Sequence, residues 1–96
     1  MAYVVAATWH AKPGEQDRIR EILGIMTPLT RDEPGCLMYV AHHSPDDPHL
    51  FFLYEQYDSE ESYRAHTETD YFNEYVLGQA VPRLDSRERA YYLTLD

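Results

Sequence analysis

Apolar residues recur along the chain in two patterns, and each pattern predicts a different kind of secondary structure. Four segments rich in β-branched and aromatic residues predict strands: Tyr3–His10, Cys36–His43, Leu50–Tyr57 and Arg87–Leu95. After a break at Lys12-Pro13-Gly14, four apolar residues follow a helical spacing: Ile19, Ile22, Leu23 and Met26. This spacing predicts a first helix that ends at Asp32-Glu33-Pro34-Gly35. We expect Pro28 to kink that helix or to weaken its last turn.

A second helix is predicted between the third and fourth strands. Ser59 is a good N-cap residue, and acidic residues follow it in the first turn, where the helix dipole favours negative charge. We expect this helix to run to about His66, to be interrupted at 67–69, and to resume over 70–79 before Pro82 stops it.

The predicted order of elements is β-α-β-β-α-β, which is the ferredoxin-like arrangement of an α+β fold. The turn at 44–48 contains two prolines and joins strands two and three as a hairpin. Right-handed crossovers would place both helices on one face of a four-stranded antiparallel sheet. We expect residues 1–96 to form one domain.

The first and third strands are apolar on both of their faces. Val4 and Ala6 alternate with Val5, Ala7 and Trp9, whereas a sheet with one wet face should alternate apolar with polar residues. Two helices can cover only one face, and soluble monomers rarely leave a large apolar face exposed. We therefore expect a homodimer that buries the second face.

Composition and charge exclude several classes of protein. The 96 residues carry a net charge of −9, and nine acidic residues lie within 44–75 against Arg64 alone. Only eight Lys and Arg residues are present, which argues against a nucleic-acid partner. No apolar run is long enough to span a membrane. Cys36 is the only cysteine, which is typical of a reducing, cytoplasmic setting.

Candidate chemistry centres on two polar residues. His66 is expected to face the sheet from the second helix and could transfer protons near neutral pH, although a buried structural histidine is an equally good interpretation. Glu55 lies in an apolar strand, as either a buried carboxylate or an edge charge. Four aromatic residues could line a cavity, although for each one alone the sequence favours a place in the core: Trp9, Tyr39, Tyr54 and Phe72.

Other site classes have little support in the sequence. It contains no glycine-rich phosphate loop and no nucleophile elbow. His42 and His43 with His49 and nearby acids could suggest a metal cluster, but adjacent strand residues point to opposite faces of a sheet. We therefore predict no metal site.

Several short motifs together resemble the antibiotic biosynthesis monooxygenase (ABM) family. They occur in the family's order over nearly the whole chain: Lys12-Pro13-Gly14, Glu33-Pro34-Gly35-Cys36 with Tyr39, Tyr54-Glu55-Gln56-Tyr57, and Ser59 to Ala65-His66 with Phe72. The resemblance implies a dimeric α+β barrel, in which two ferredoxin-like subunits pack sheet to sheet. Each subunit would hold a pocket between its sheet and its helices.

The resemblance also implies a function. The chemistry of the family includes the oxygenation of quinols and polycyclic phenols without a cofactor, because the phenolate of such a substrate reacts with molecular oxygen directly. His66 would then accept the proton, Glu55 would orient a neighbouring donor, and the four aromatic residues named above would form the pocket walls.

Related branches imply alternatives. One branch degrades haem, but Ala7, His66 and Val76 stand where its functional residues would be, which argues against that activity. Another branch isomerises phosphorylated autoinducer-2, which requires cations for the phosphate; Lys12 and Arg31 are distant in sequence from the predicted pocket. A module that binds a small molecule without catalysis is a third alternative.

Overall fold

The computed structural model describes all residues, Met1–Asp96. Its elements follow in the order β1 (Tyr3–Ala11), α1 (Gln16–Arg31), β2 (Cys36–His43), β3 (Leu50–Tyr57), α2 (Glu60–Thr67), a π-helix (Phe72–Ala80), a short 3₁₀ turn (Val81–Arg83) and β4 (Leu84–Leu93). The strands form one antiparallel sheet in the order β2-β3-β1-β4. This is the ferredoxin-like βαββαβ fold that the sequence predicts.

The observed strand bounds can be compared with the predicted ones residue by residue. The bounds of β2 and β3 are confirmed, and β1 is one residue longer than predicted. The prediction for β4 is wrong at both ends, because this strand begins at Leu84 and ends at Leu93. Its length follows from its partner: β4 pairs with β1 from Ala11–Leu84 to Tyr3–Leu93, with a bulge near His10. A strand with no further partner loses its ladder hydrogen bonds and ends.

Helix α1 ends at Arg31, directly before the Asp32-Glu33-Pro34-Gly35 segment that the sequence predicts as its end, and Pro28 lies in its last turn. The second helical segment differs from expectation. The segment predicted as helix over 70–79 is a π-helix for most of its length. Its buried residues, Phe72, Val76 and Ala80, are four apart, a spacing that suits a turn wider than 3.6 residues.

The N-terminus of α2 is confirmed. The Ser59 side chain accepts a hydrogen bond from the Ser62 backbone N–H at 3.1 Å, which satisfies one of the free donors at this helix end. This cap fixes where α2 begins and therefore where His66, two turns along, faces the sheet.

The core lies between the helices and one face of the sheet. Odd-numbered residues of β1 and β3 face the helices, as shown by the paired Trp9–Phe51 and Ala7–Leu53, which are all buried. From the helices, this core includes Ile19, Ile22, Leu23, Met26, Phe72, Val76 and Ala80. The opposite face of the sheet carries the even-numbered residues, among them Phe52 and Tyr54, and has no covering element within the chain.

No helix in the structure has both the length and the apolar character needed to cross a membrane.

Candidate active site

A small cavity lies between the helix-facing side of the sheet and the segment from α2 to the π-helix. Its volume is about 20 Å³, which is room for roughly one water molecule. Its lining combines apolar and titratable side chains: Ala7, Trp9, Tyr39, Leu53, Glu55, Tyr63, His66, Phe72, Val76, Arg87 and Arg89. A larger ligand can enter only if some of these side chains move.

His66 lies at the centre of an aromatic cluster. Its side chain is 3% exposed, and its ring centroid is 5.1 Å from that of Phe72 in an edge-to-face arrangement. The ring also packs 5.5 Å from Tyr57 and 6.1 Å from Tyr63. These neighbours fix the plane of the imidazole and keep bulk water away from it.

A carboxylate outside the cavity orients the His66 ring. Nδ1 of His66 lies 2.8 Å from Oε2 of Glu33, which also accepts a hydrogen bond from the Tyr71 hydroxyl. With Nδ1–H donating to Glu33, the neutral ring has Nε2 as its acceptor, and Nε2 makes no hydrogen bond within the chain. This is the arrangement of a general base whose tautomer is fixed by a third group.

Glu55 is the second buried titratable group in the cavity. It is 5% exposed, and its Oε1 accepts a hydrogen bond from the Tyr57 hydroxyl at 2.6 Å. Burial raises the pKa of the Glu55 carboxyl above its usual value, while the Tyr57 hydrogen bond and the nearby His66 act in the opposite direction. The site thus holds an imidazole and a carboxyl in one enclosed space.

Two cations complete the lining of the cavity. Arg87 and Arg89 extend from β4, where they pair with Trp9 and Ala7 of β1. Arg89 donates a long hydrogen bond of 3.4 Å to the Tyr63 hydroxyl. Burial raises the pKa of Tyr63 to about 12, so this phenol is a neutral donor at physiological pH.

The structure brings together five of the six predicted site residues. His66, Glu55, Trp9, Tyr39 and Phe72 all line the cavity. Tyr54 does not, so its predicted place in the pocket wall is wrong. It pairs with Ala6 and Val40 on the opposite face of the sheet, because neighbouring residues of a strand point to opposite sides.

Sequence reasoning missed three functional candidates. In the sequence Glu33 stands out only as part of the Glu33-Pro34-Gly35-Cys36 motif, and its bond to His66 joins residues that are 33 positions apart. Arg87 and Arg89 belong to no motif, and the signal that could have found them is their i, i+2 spacing on a strand, which places both on one face. Their position also removes the objection that the pocket lacks cations for a phosphate.

Other parts of the surface carry fewer groups that suit catalysis. A wider groove of about 160 Å³ lies between α1 and the ends of β2 and β3, and Arg20, His42 and His43 are among its lining residues. All three are exposed, so none has an altered environment that would suggest catalysis. We place the candidate site at the smaller cavity, because buried titratable groups converge only there.

Fold and cavity together define a ferredoxin-like α+β protein with an aromatic site between sheet and helices. Comparison with protein families narrows this class: residues 2–77 match the model of the family described as antibiotic biosynthesis monooxygenase. This match covers most of the chain, and the chain belongs to the ABM family. The resemblance inferred from the sequence motifs is confirmed.

Solved structures agree with this fold. The chain is similar to PA3566 from Pseudomonas aeruginosa (26% identity, TM-score 0.91, covering 99% of this chain and 95% of that one). It is also similar to Rv0793 from Mycobacterium tuberculosis (25% identity, TM-score 0.91, covering 100% and 97%). A candidate antibiotic biosynthesis monooxygenase from Nitrosomonas europaea superposes with a TM-score of 0.92, covering 98% and 90%; at 24% identity it shows the fold alone.

The chain is also similar to one curated relative. The chain is 26% identical over 73 residues to an uncharacterised protein of Synechocystis, sll1783. The match covers 76% of this chain, which spans about half the length of that relative.

Proposed function

We propose that this protein is a cofactor-independent monooxygenase that acts on a quinol or polycyclic phenol bound at the His66 cavity. The observation that carries the proposal is the Glu33–His66 hydrogen bond, which leaves Nε2 of a buried imidazole as the acceptor beside an aromatic wall. Membership of the ABM family supports the same reaction class.

His66 has one task in this mechanism, which is to move a single proton. Nε2 takes the phenolic proton, and the Glu33 carboxylate stabilises the resulting imidazolium through Nδ1–H. The electron-rich phenolate then reduces oxygen: a ring carbon bonds to one oxygen atom, and His66 returns its proton to the outer oxygen, which gives a hydroperoxide. The O–O bond breaks as the attacked carbon loses its hydrogen as a proton, so the inner oxygen becomes the quinone carbonyl, and the departing hydroxide combines with that proton to form water. Phenol and oxygen give quinone and water, so the substrate supplies every electron and no external reductant is needed.

The aromatic walls and the tyrosines serve the same reaction. Trp9, Tyr39 and Phe72 would pack against the substrate ring and keep water from the reactive intermediate. Glu55 would hold the Tyr57 hydroxyl in place beneath His66. Because the resting cavity holds about one water, substrate binding must displace side chains, and the flexible Arg87 and Arg89 are the lining residues with the most freedom to move.

Oxygen uptake with a panel of quinols and polyphenols, without added flavin or metal, tests the proposal. We expect His66→Ala to lower kcat by roughly a hundredfold or more, the usual contribution of a general base. Glu33→Gln should lower kcat with little change in KM, because it removes the charge that stabilises the imidazolium. His49→Ala, at a surface histidine paired with Asp47, is the matched control and should leave turnover unchanged.

Two results would contradict parts of the proposal. One is full turnover by His66→Ala, which would contradict the role of His66 as the base. The other is no oxygen uptake across the panel together with ligand-induced thermal stabilisation, which would instead support a binding module without catalysis.

A second candidate function is isomerisation of a phosphorylated carbonyl compound, as in the branch that acts on phosphorylated autoinducer-2. The observation that favours it is the pair of guanidinium groups at the cavity, since arginine suits phosphate recognition. His66 would then carry a proton between neighbouring carbons. Conversion of phosphorylated autoinducer-2 in the absence of oxygen, monitored by NMR, would separate this function from oxygenation.

We also propose that the functional unit is a homodimer in which two sheets pack through their uncovered faces. The uncovered face carries Met38, Phe52 and Tyr92, which are 42%, 38% and 59% exposed. Apolar residues at such exposure on one sheet face are typical of an interface.

A further inference from the structure

Arg87 and Arg89 are two cations without an anionic partner. Neither forms an ion pair with a carboxylate within 4.0 Å, whereas Arg18, Arg64 and Arg83 each do. The two residues are separated by one position on β4, so they point to the same face of the sheet. Arg20 and Arg31 also lack an ion pair, but only Arg87 and Arg89 lie side by side and line the cavity.

The surroundings disfavour the charge of Arg87, which is half-buried, but not that of Arg89, which is exposed. Burial lowers the pKa of Arg87, and the positive charge of Arg89 acts in the same direction. Burial acts to lower the pKa of Arg89, but the hydrogen bond with the Tyr63 hydroxyl and the nearby Glu55 raise it. Arg89 has only the long contact with the Tyr63 hydroxyl, and the nearest buried carboxyl, Glu55, is already bound to Tyr57. Like charges that lie close together in a partly buried site repel each other, and an anion placed between them removes that repulsion.

We propose that Arg87 and Arg89 form an oxyanion subsite that binds a carboxylate or phosphate group of the substrate. This inference rests on the proposed function in one respect, namely that the His66 cavity is where the substrate binds. The substrate class is therefore an aromatic compound that bears both a hydroxyl and an oxyanion. Its ring would lie against Trp9, with the hydroxyl towards His66 and the oxyanion towards β4.

The shape of the cavity agrees with this subsite. Both arginines line a space of only about 20 Å³, so their side chains occupy part of the volume that a ring would need. An oxyanion at the cavity entrance would draw the two guanidinium groups outward and hold them there in charge-assisted hydrogen bonds. Binding of the charged group would thus open the space for the aromatic group.

A pair of matched ligands tests the subsite by binding alone. Hydroxynaphthoate and hydroxynaphthamide share ring and hydroxyl and differ in whether the second group is charged. Their dissociation constants can be measured by calorimetry, and Trp9, the only tryptophan, reports by fluorescence whether the ligand reaches the cavity. We expect the wild type to prefer the naphthoate by about tenfold or more, in keeping with charge-assisted pairing.

Substitutions test whether the two arginines cause the preference for the naphthoate. Arg87→Gln and Arg89→Gln should each reduce the preference for the naphthoate while leaving amide binding nearly unchanged. Arg89→Lys should retain part of it, because lysine keeps the charge but not the planar fork. Arg20→Gln, on the exposed side of α1, is the matched control and should retain all of it.

The outcomes separate the subsite from the proposed reaction. Equal affinity for the two ligands, or a preference that survives in both glutamine variants, would overturn the subsite even if neutral quinols are oxygenated. A preference that depends on the arginines supports the subsite even if no phenol consumes oxygen. Inorganic phosphate that displaces the naphthoate indicates a subsite for oxyanions in general; no displacement indicates one restricted to carboxylates.

Discussion

Glu55 and His66 are polar side chains buried among aromatic rings, and each has a partner that makes its burial tolerable. Glu55 accepts the Tyr57 hydroxyl proton, and His66 donates to Glu33. A buried polar group without such a partner costs several kcal/mol, on the order of 2–7. The partners therefore determine which chemistry the two buried groups can perform.

Glu55 also makes the stability of the protein depend on pH. Burial raises its pKa in the folded state, so the folded protein holds this proton at pH values where the unfolded chain has lost it. Its contribution to stability is therefore largest at low pH and falls as pH rises from the unfolded value through the folded one. Glu55→Gln removes this titration but keeps an acceptor for Tyr57.

We accordingly expect the difference in free energy of unfolding, Glu55→Gln minus wild type, to increase with pH above the usual pKa of a glutamate carboxyl and then to level off. Urea denaturation at several pH values measures it. When the same difference is measured in proteins that also carry Tyr57→Phe, it should level off at a higher pH, because this substitution removes a hydrogen bond that lowers the pKa of Glu55. Tyr54→Phe, on the other face of the sheet, should not change that pH. A constant difference would contradict the raised pKa.

The site residues show which information the sequence carries. Glu55 has the same parity as Leu53 and Phe51, so the alternation of β3 alone places it on the helix-facing side. The same rule places Tyr54 on the opposite side, and applying it would have excluded this residue from the pocket. Glu33 and the two arginines reach the site through tertiary contacts, and no local sequence pattern predicts these contacts.

Secondary structure was predictable wherever local signals were strong. The two prolines of the hairpin and the Ser59 cap mark element ends in the sequence itself, and the bounds of β2 and β3 are correct. The ends of β4 depend on its pairing with β1, and the π-helix depends on what Phe72, Val76 and Ala80 pack against. Sequence periodicity predicts a helix there but does not distinguish its hydrogen-bond pattern.

The junction between the α1–β2 loop and α2 is a close contact that depends on a glycine. A Cβ atom on Gly35 would overlap the Ser62 side chain, and it would lie 3.0 Å from Oδ1 of Asp58. Ser62 and Asp58 are hydrogen-bonded to each other at the start of α2, so neither can move without disturbing that helix end. The same loop carries Glu33, which orients His66.

Gly35→Ala is therefore expected to destabilise the protein by about 1–3 kcal/mol, the usual cost of overpacking. It should also lower kcat of the proposed reaction, because a shift of the loop moves Glu33 away from His66. Gly24→Ala is the matched control: its Cβ would meet nothing within 4 Å in the middle of α1, and alanine there should stabilise by roughly 0.5–1 kcal/mol. Chemical denaturation measures both, and equal stability of Gly35→Ala and wild type would contradict the contact.

The molecule as a whole has one covered and one uncovered sheet face. The helices bury the odd-numbered side of β1 and β3, while Phe52 and its neighbours on the even-numbered side have no cover within the chain. The sequence contains this imbalance, since β1 is apolar at consecutive positions. A second copy would bury both uncovered faces at once, because a two-fold interface joins the same surface of each subunit.

A charge in the middle of that face should therefore prevent dimer formation. We expect the wild type to sediment at twice the 11.3 kDa chain mass at micromolar concentration, and Phe52→Asp to sediment at the chain mass. Burying an unpaired carboxylate in an apolar interface costs several kcal/mol, enough to shift the equilibrium. Leu77→Asp is the matched control: Leu77 is 43% exposed on the π-helix, away from the sheet, and this variant should remain a dimer.

Because dimerisation stabilises the folded chain by mass action, the melting temperature of wild type and Leu77→Asp should rise with protein concentration, and that of Phe52→Asp should not. A wild type that sediments at the chain mass would contradict the dimer and leave the uncovered face to another partner.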